Sequence, residues 1–278
     1  MAKQRDRLDL LHGSLWKTVP LFAMPVAATS ILEQLSNLIG TLMIGRFSPD
    51  GGAVGMAAVG SNLPLTSLII QLFVGISLGA NVAIAYAAGA GDKQRANRCA
   101  HSAIALSVVG VAVAIAMELA SRPILQCLGV PADTFDEALL FLRIYLIGIP
   151  AILLYDFEAA VFRSVGITRM PLIALAVSAA LNAVLDVLFV PVLGWGVAGV
   201  AWAMVIGYAA SAVFLFLRLL KADEPIRIDV SRLRIDRESA ASIIRIGLPA
   251  GIQGAVFAIA NIVIQTCINS LGTQVVAA

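Results

Sequence analysis

Charge is scarce in this sequence. Only 13% of the 278 residues are Asp, Glu, Lys or Arg, against 60% that are hydrophobic. That balance excludes an ordinary soluble domain and points to an integral membrane protein. Histidine is nearly absent: His12, in the N-terminal tail, and His101, at a helix start, are the only two, so a His/Cys metal cluster has no ligands to draw on. The three cysteines, Cys99, Cys127 and Cys267, are odd in number and lack paired spacing, which argues against a disulfide framework and leaves them as small apolar residues. There is no Walker loop, and no GxGxxG precedes a helix. Nothing supports a catalytic site, a resident cofactor, a metal or a nucleic-acid partner, and the chain reads as a non-enzyme. A secretory signal is missing too, because the short polar tail with Lys3, Arg5 and Arg7 leads into an apolar run too long for an h-region.

What the chain has in abundance is long hydrophobic segments. Seven are expected as helices, at about 15–45, 57–88, 98–121, 138–164, 170–192, 196–220 and 240–271, each long enough for a hydrocarbon core of about 30 Å. The net charge of +2 hides a segregation. Lys3, Arg5, Arg7, Lys17, Lys93, Arg95, Arg98, Arg163, Arg169 and the basic residues from Arg218 to Arg245 fall at one end of the helices; Arg46, Arg122 and Arg143 fall at the other. The positive-inside rule then sets the N-terminus in the cytoplasm. Residues 221–239, KADEPIRIDVSRLRIDRES, form the one long connection, expected as a cytoplasmic linker between a lobe at 1–220 and a further element at 240–278.

The first segment, Leu15 to Phe47, carries Ser30, Glu33, Gln34, Asn37 and Thr41 at steps of three or four, hence on one broad face. Such a stripe belongs in a helix seam or a wet cavity rather than in lipid. The segment returns weakly near the end of the chain: setting Pro25 on Pro249 puts Asn37 on Asn261, Thr41 on Gln265 and Ile44 on Ile268. Internal repeats of this kind mark transporters built from two related bundles. Gly75 and Gly79 in the second segment, and Gly199, Ala203, Gly207 and Ser211 in the sixth, have the four-residue spacing of close helix packing.

Chemistry must then lie with the intramembrane acids Glu33, Glu118, Asp156, Glu158 and Asp186. Ser178, Asn182 and Asp186 recur every four residues, placing an amide and a carboxylate on one face, where they either hold a proton or Na⁺ or are satisfied by a neighbouring helix. Glu33 either neutralises a cationic substrate or bonds Asn37 or Gln34. Asp156 and Arg163 share a polar seam, Glu158 points away from Asp156 to snorkel or meet a lobe interface, and Glu118 reads as interfacial.

Several stretches together resemble the multidrug and toxic compound extrusion (MATE) family of antiporters. They are Asn37-Leu-Ile-Gly-Thr-Leu-Met-Ile-Gly-Arg46 with Ala57-Ala-Val-Gly60; Gly75-Ile-Ser-Leu-Gly-Ala-Asn81 with Gly89-Ala-Gly-Asp92; Leu142-Arg-Ile-Tyr-Leu-Ile-Gly-Ile-Pro150 with Arg163-Ser-Val-Gly166; Leu181-Asn182; and Gly196-Val-Ala-Gly-Val-Ala201. The resemblance implies an all-α membrane protein: the six-helix N-terminal lobe of a twelve-helix, two-lobe transporter plus the first helix of the second lobe. It implies export of cationic or lipophilic compounds in exchange for H⁺ or Na⁺, with no other cofactor, in a bacterial inner membrane. It carries the family's Asn-x-x-x-Asp ion-binding pair onto Asn182 and Asp186. Gly40 stands where the family usually has an Asp, with Glu33 as a candidate substitute on about the same face. The acid that some members carry in the seventh helix is missing as well, since that segment offers Gln253, Asn261, Gln265 and Asn269. Gln34, Asn37, Asp156, Glu158, Asn261 and Gln265 are the expected substrate-cavity residues. With seven helices against twelve, the chain reads as a truncated sequence or half of a split gene, needing a C-terminal lobe as partner alongside membrane lipid and a cationic substrate. A related flippase for lipid-linked saccharides would need a more basic cavity, and a non-transporting remnant is the remaining transporter-derived reading. A retinal pump lacks its Schiff-base Lys in the seventh segment.

Overall fold

The computed structural model describes residues 15–47 and 52–269. The N-terminal tail with Lys3, Arg5, Arg7 and His12, and the last residues of the repeat, lie outside the described residues. Among the described residues eight α-helices follow in order: α1 (Leu15–Phe47), α2 (Ala53–Gly89), α3 (Lys93–Ser107), α4 (Val109–Cys127), α5 (Phe135–Ser164), α6 (Arg169–Val187), α7 (Gly196–Leu220) and α8 (Arg237–Asn269). A π-helical turn, Leu188–Val192, extends α6. No strand occurs among the described residues. With α3 and α4 counted as one, seven spans are long and apolar enough to cross a membrane, and they match the seven expected segments.

The helices depart from the expected segments in several places. The third span runs over residues 93–127 rather than 98–121, because the Asp92 carboxylate accepts the Arg95 backbone N–H at 2.9 Å and caps a polar turn that hydrophobicity does not reveal. The same span is broken at Val108, whose N–H bonds the Ala105 carbonyl three residues back. Pro191 sits in the π turn, where Leu193 bonds Leu188 five residues back. The wider turn accommodates a ring that cannot donate to the ladder.

The core centres on α5, which packs against α2, α4 and α7 and buries Leu142, Leu146, Ile149, Leu153 and Phe157. Small residues bring α6 and α7 together. A Cβ on Gly207 would lie 3.0 Å from Ser178 Oγ, and one on Gly199 would lie 3.0 Å from Phe189 Cβ. The stripe expected to pack closely does so here.

The seventh span, α8, does not stand apart. It lies along α2, with Gly75 against Gly251 and Gly79 against Gly247, so that a Cβ on Gly75 would fall 2.1 Å from the Gly251 nitrogen and one on Gly79 would fall 2.2 Å from the Ile243 carbonyl oxygen. The two helices run antiparallel with paired GxxxG spacing, and their backbones touch.

The connection between α7 and α8 is docked rather than loosely solvated. Ile226 and Ile228 are buried, and the Ile228 N–H returns to the Leu219 carbonyl. Asn97 Nδ2 donates to the carbonyls of Pro225 and Arg227, both at 2.9 Å. His101 Nε2 accepts the Asp229 N–H at 3.0 Å, and Ser102 Oγ accepts that of Asp236. One face of α3 thus holds the linker and sets where α8 begins, three residues earlier than the hydrophobic pattern indicates.

Candidate functional site

The polar face of α1 turns toward α2, α5, α7 and α8 and lines a cleft of about 500 Å³. Ser30, Glu33, Gln34 and Asn37 come from α1, Asp156 and Arg163 from α5, and Asn261 from α8. Helical spacing explains the α5 contribution: Tyr145, Ile152, Asp156 and Arg163 lie at steps of seven, four and seven and present one face. Arg163 Nη2 donates to Thr29 Oγ1 at 3.3 Å, while its Nε and the Asp156 Oδ2 are buried without a protein partner. Two carboxylates and one guanidinium therefore share the cleft.

On α6, Ser178, Asn182 and Asp186 all point inward and are buried, while Val177, Val184 and Val187 face out. Asp186 is fully buried, neither of its oxygens meets a hydrogen-bonding partner, and the Asn182 amide is likewise unpartnered on both atoms. Buried polar groups left so are costly unless a proton, a cation or water satisfies them.

Between α1 and α6 lies a second cavity of about 20 Å³, lined by Glu33, Ser36, Asn37, Ser178 and Asn182 together with Met204 and Tyr208 of α7. Its volume suits one water or one small ion. Glu33, Asn37, Met204 and Tyr208 line both cavities, so the α1 carboxylate stands between the cleft and the α6 polar face. Gly40, one turn beyond Asn37, faces Asp186: a Cβ there would lie 3.9 Å from Asp186 Oδ2 and 2.9 Å from Val200 Cγ1. The position where the resemblance leads one to expect an acid thus adjoins the buried carboxylate, and Val200 fills the space.

The structure brings Glu33, Gln34, Asn37, Asp156 and Asn261 to the cleft and places Asn182 at the smaller cavity beside Glu33. Asp186, Glu158 and Gln265 line neither. Glu158 does not snorkel: it is fully buried within α5, on the side away from Asp156, with both oxygens unpartnered. Glu118, expected as interfacial, pairs with Arg143 at 3.0 Å. Tyr145, Tyr208, Ser67 and Gln71 also line the cleft and were not singled out from sequence, because tyrosines, a serine and an amide on apolar helices read as ordinary packing until neighbouring helices are placed. No group of three or more metal-ligating side chains occurs among the described residues.

A family model described as MatE matches residues 25–188, more than half of the chain. The chain belongs to the MATE family. The matched region contains Glu33, Gly40, Asp156, Asn182 and Asp186. Among curated proteins, the chain is 29% identical over 273 residues to the probable multidrug resistance protein YoeA of Bacillus subtilis, covering 95% of this chain and 58% of that one. Among solved structures it superposes on a MATE protein in its bent conformation with a TM-score of 0.83 and 28% identity, covering 91% of this chain and 56% of the other. It also superposes on the inward-facing conformation of a multidrug resistance MATE transporter, with a TM-score of 0.80 and 27% identity, covering 91% and 59%. The chain thus spans a little over half the length of these three proteins.

Proposed function

We propose that this chain contributes to secondary active efflux of cationic or lipophilic small molecules, coupled to entry of H⁺ or Na⁺. The observation that carries the reading is Glu33, which lines both the 500 Å³ cleft and the ion-sized cavity against Ser178 and Asn182. A cationic substrate in the cleft meets Glu33 and Asp156, two acids against the single Arg163. A proton or Na⁺ held near Asn182 and Asp186 competes for the same local field, and binding of one disfavours the other, which is the electrostatic requirement for exchange. The two-to-one excess of acid over base also favours a cationic substrate over an anionic lipid-linked saccharide. In this reading the N-terminus is cytoplasmic in a bacterial inner membrane, because Lys93, Arg95, Arg98 and the linker arginines gather at one end of the spans. Leu35, Leu38 and Leu42 of α1 are exposed, and a second bundle, related to the first by the α1/α8 repeat, would close the cleft on that side.

The test is dye efflux from everted vesicles carrying the complete transporter, driven by a proton or a sodium gradient. Asp186→Asn and Glu33→Gln are each expected to lower gradient-driven efflux of a cationic dye at least tenfold, at unchanged membrane abundance. Normal efflux in both variants would refute the proposed coupling role.

A further inference from the structure

Beyond the transport site, the α3 end of the bundle carries an uncommitted positive cleft of about 820 Å³, bordered by Lys93, Arg98, Arg234 and the side of His101. Most acids nearby are already engaged. Asp92 caps α3, Asp229 takes the Ser231 N–H and hydroxyl and pairs with Arg232 at 3.4 Å, Asp236 takes the Ser239 N–H and hydroxyl, and Glu238 pairs with Arg95 at 3.7 Å. Asp236 still attracts Arg98 and Arg234 through space, and Glu224 also borders the cleft. Even so, among the described residues Lys93, Arg98 and Arg234 have no carboxylate within ion-pair distance, and all three are exposed. His101 is held by the backbone on both sides: its Nε2 accepts the Asp229 N–H at 3.0 Å, and its Nδ1 lies 2.9 Å from the Asn97 carbonyl oxygen.

The cleft does not end at its charges. Leu233 and Arg234 also line a second groove of about 530 Å³ that runs over the break between α3 and α4, along Val108, Val111, Leu154 and Phe216. Val108 and Val111 are exposed there. A basic pocket opening into an apolar groove on the outer surface of a membrane bundle has two chemistries in sequence, and a phospholipid has the same two in the same order. A soluble phosphate matches only the first part.

We propose that this composite surface binds an anionic phospholipid, its phosphate among Lys93, Arg98 and Arg234 and one acyl chain along the groove at the α3/α4 break. The site involves the linker directly. Arg234 lies between Ser102, which holds Asp236, and the 3₁₀ turn Val230–Arg232. A bound headgroup therefore fastens the linker to α3 at the point where α8 starts.

Native mass spectrometry of the full transporter, released from detergent after exchange into phosphatidylglycerol or phosphatidylcholine, reads the site. Wild type is expected to retain phosphatidylglycerol preferentially. Arg98→Gln with Arg234→Gln is expected to lower that retention about thirtyfold, from the attraction typical of two basic residues at an anionic surface. Val108→Trp, which fills the groove and leaves the charges, should lower retention of the lipid while leaving binding of inorganic phosphate unchanged. Arg122→Gln, at the other end of the spans, is the control and should retain lipid as wild type does. Equal retention of the two lipids, no loss in the double arginine variant when its thermal unfolding matches wild type, or inorganic phosphate that competes fully with lipid in Val108→Trp and wild type alike would each overturn the proposal.

Discussion

Replacing Gly75 by Ala adds one methyl group at the place where α2 and α8 touch through backbone. The new Cβ would lie 2.1 Å from the Gly251 nitrogen and 2.2 Å from its Cα, where ordinary contact begins at 3.4 Å. Neither atom belongs to a flexible side chain, so the helices themselves must part, by about 1.3 Å if the whole shift falls on their separation. A radial gap of roughly 0.5–1 Å already forfeits a quarter to a half of a dispersion contact. The seam that includes Gly79, Gly247 and Gly251 therefore loses most of its close packing together. Against this stands a helix-propensity gain of roughly 0.5–1 kcal/mol for Ala over Gly, smaller than the roughly 1–3 kcal/mol or more typical of overpacking. Destabilisation wins. Gly89 is the internal control, since a Cβ there meets nothing within 4 Å and Gly89→Ala should be neutral or slightly stabilising. Thermal unfolding of the detergent-solubilised protein, with limited proteolysis in the linker as a second readout, compares the two. Gly75→Ala is expected to unfold at lower temperature and to expose the linker to cleavage. If it unfolds with Gly89→Ala or above it, the direct backbone contact between α2 and α8 is wrong.

Two further outcomes follow from particular contacts. Gly40→Ala should destabilise, because its Cβ would sit 2.9 Å from Val200 Cγ1 and a β-branched neighbour has little rotamer freedom to yield; the same change in a Val200→Ala background should cost nothing, and a persistent cost there in thermal unfolding would refute the clash. At the start of α8, hydrogen bonds from the Ser239 hydroxyl and N–H hold the Asp236 carboxyl below its ordinary value of 3.8. A depressed carboxylate stabilises above its unfolded value and loses that contribution as pH falls through the folded one. Hydrogen-exchange protection of the Ser239 amide is thus expected to hold at about pH 5 and to fall toward pH 2, whereas Asp236→Ala should show low protection throughout; a flat wild-type profile would contradict the cap.

Much of this protein was legible from local pattern. Seven apolar segments, the polar stripe of α1, and Ser178, Asn182 and Asp186 at four-residue spacing follow from the 1.5 Å rise and 3.6-residue turn of a helix, and the structure turns Ser30, Glu33, Gln34 and Asn37 to the cleft and buries Ser178, Asn182 and Asp186, while Thr41 bonds back to the Asn37 carbonyl outside it. The proline-bearing first and last helices, each 33 residues long, are likewise readable one helix at a time. Local pattern failed where a residue's meaning depends on a distant neighbour. His101, a bare ring near a helix start, holds a linker 128 residues away. Gly247 and Gly251 went unremarked, because a glycine in an apolar helix has no side chain to announce a partner, and the seam exists only once α2 is brought alongside.

The candidate site divides in the same way. Sequence alone determined which helix faces are polar, since that depends on spacing within one chain segment. Only the tertiary structure decided that Glu33 stands beside Asn182, that Gly40 adjoins both Asp186 and the side chain of Val200, and that Glu158 is sealed away from the cleft. The physical reason is that helical periodicity fixes direction around one axis, whereas the rotation and depth of each helix against the next are set by the summed packing of side chains from all of them.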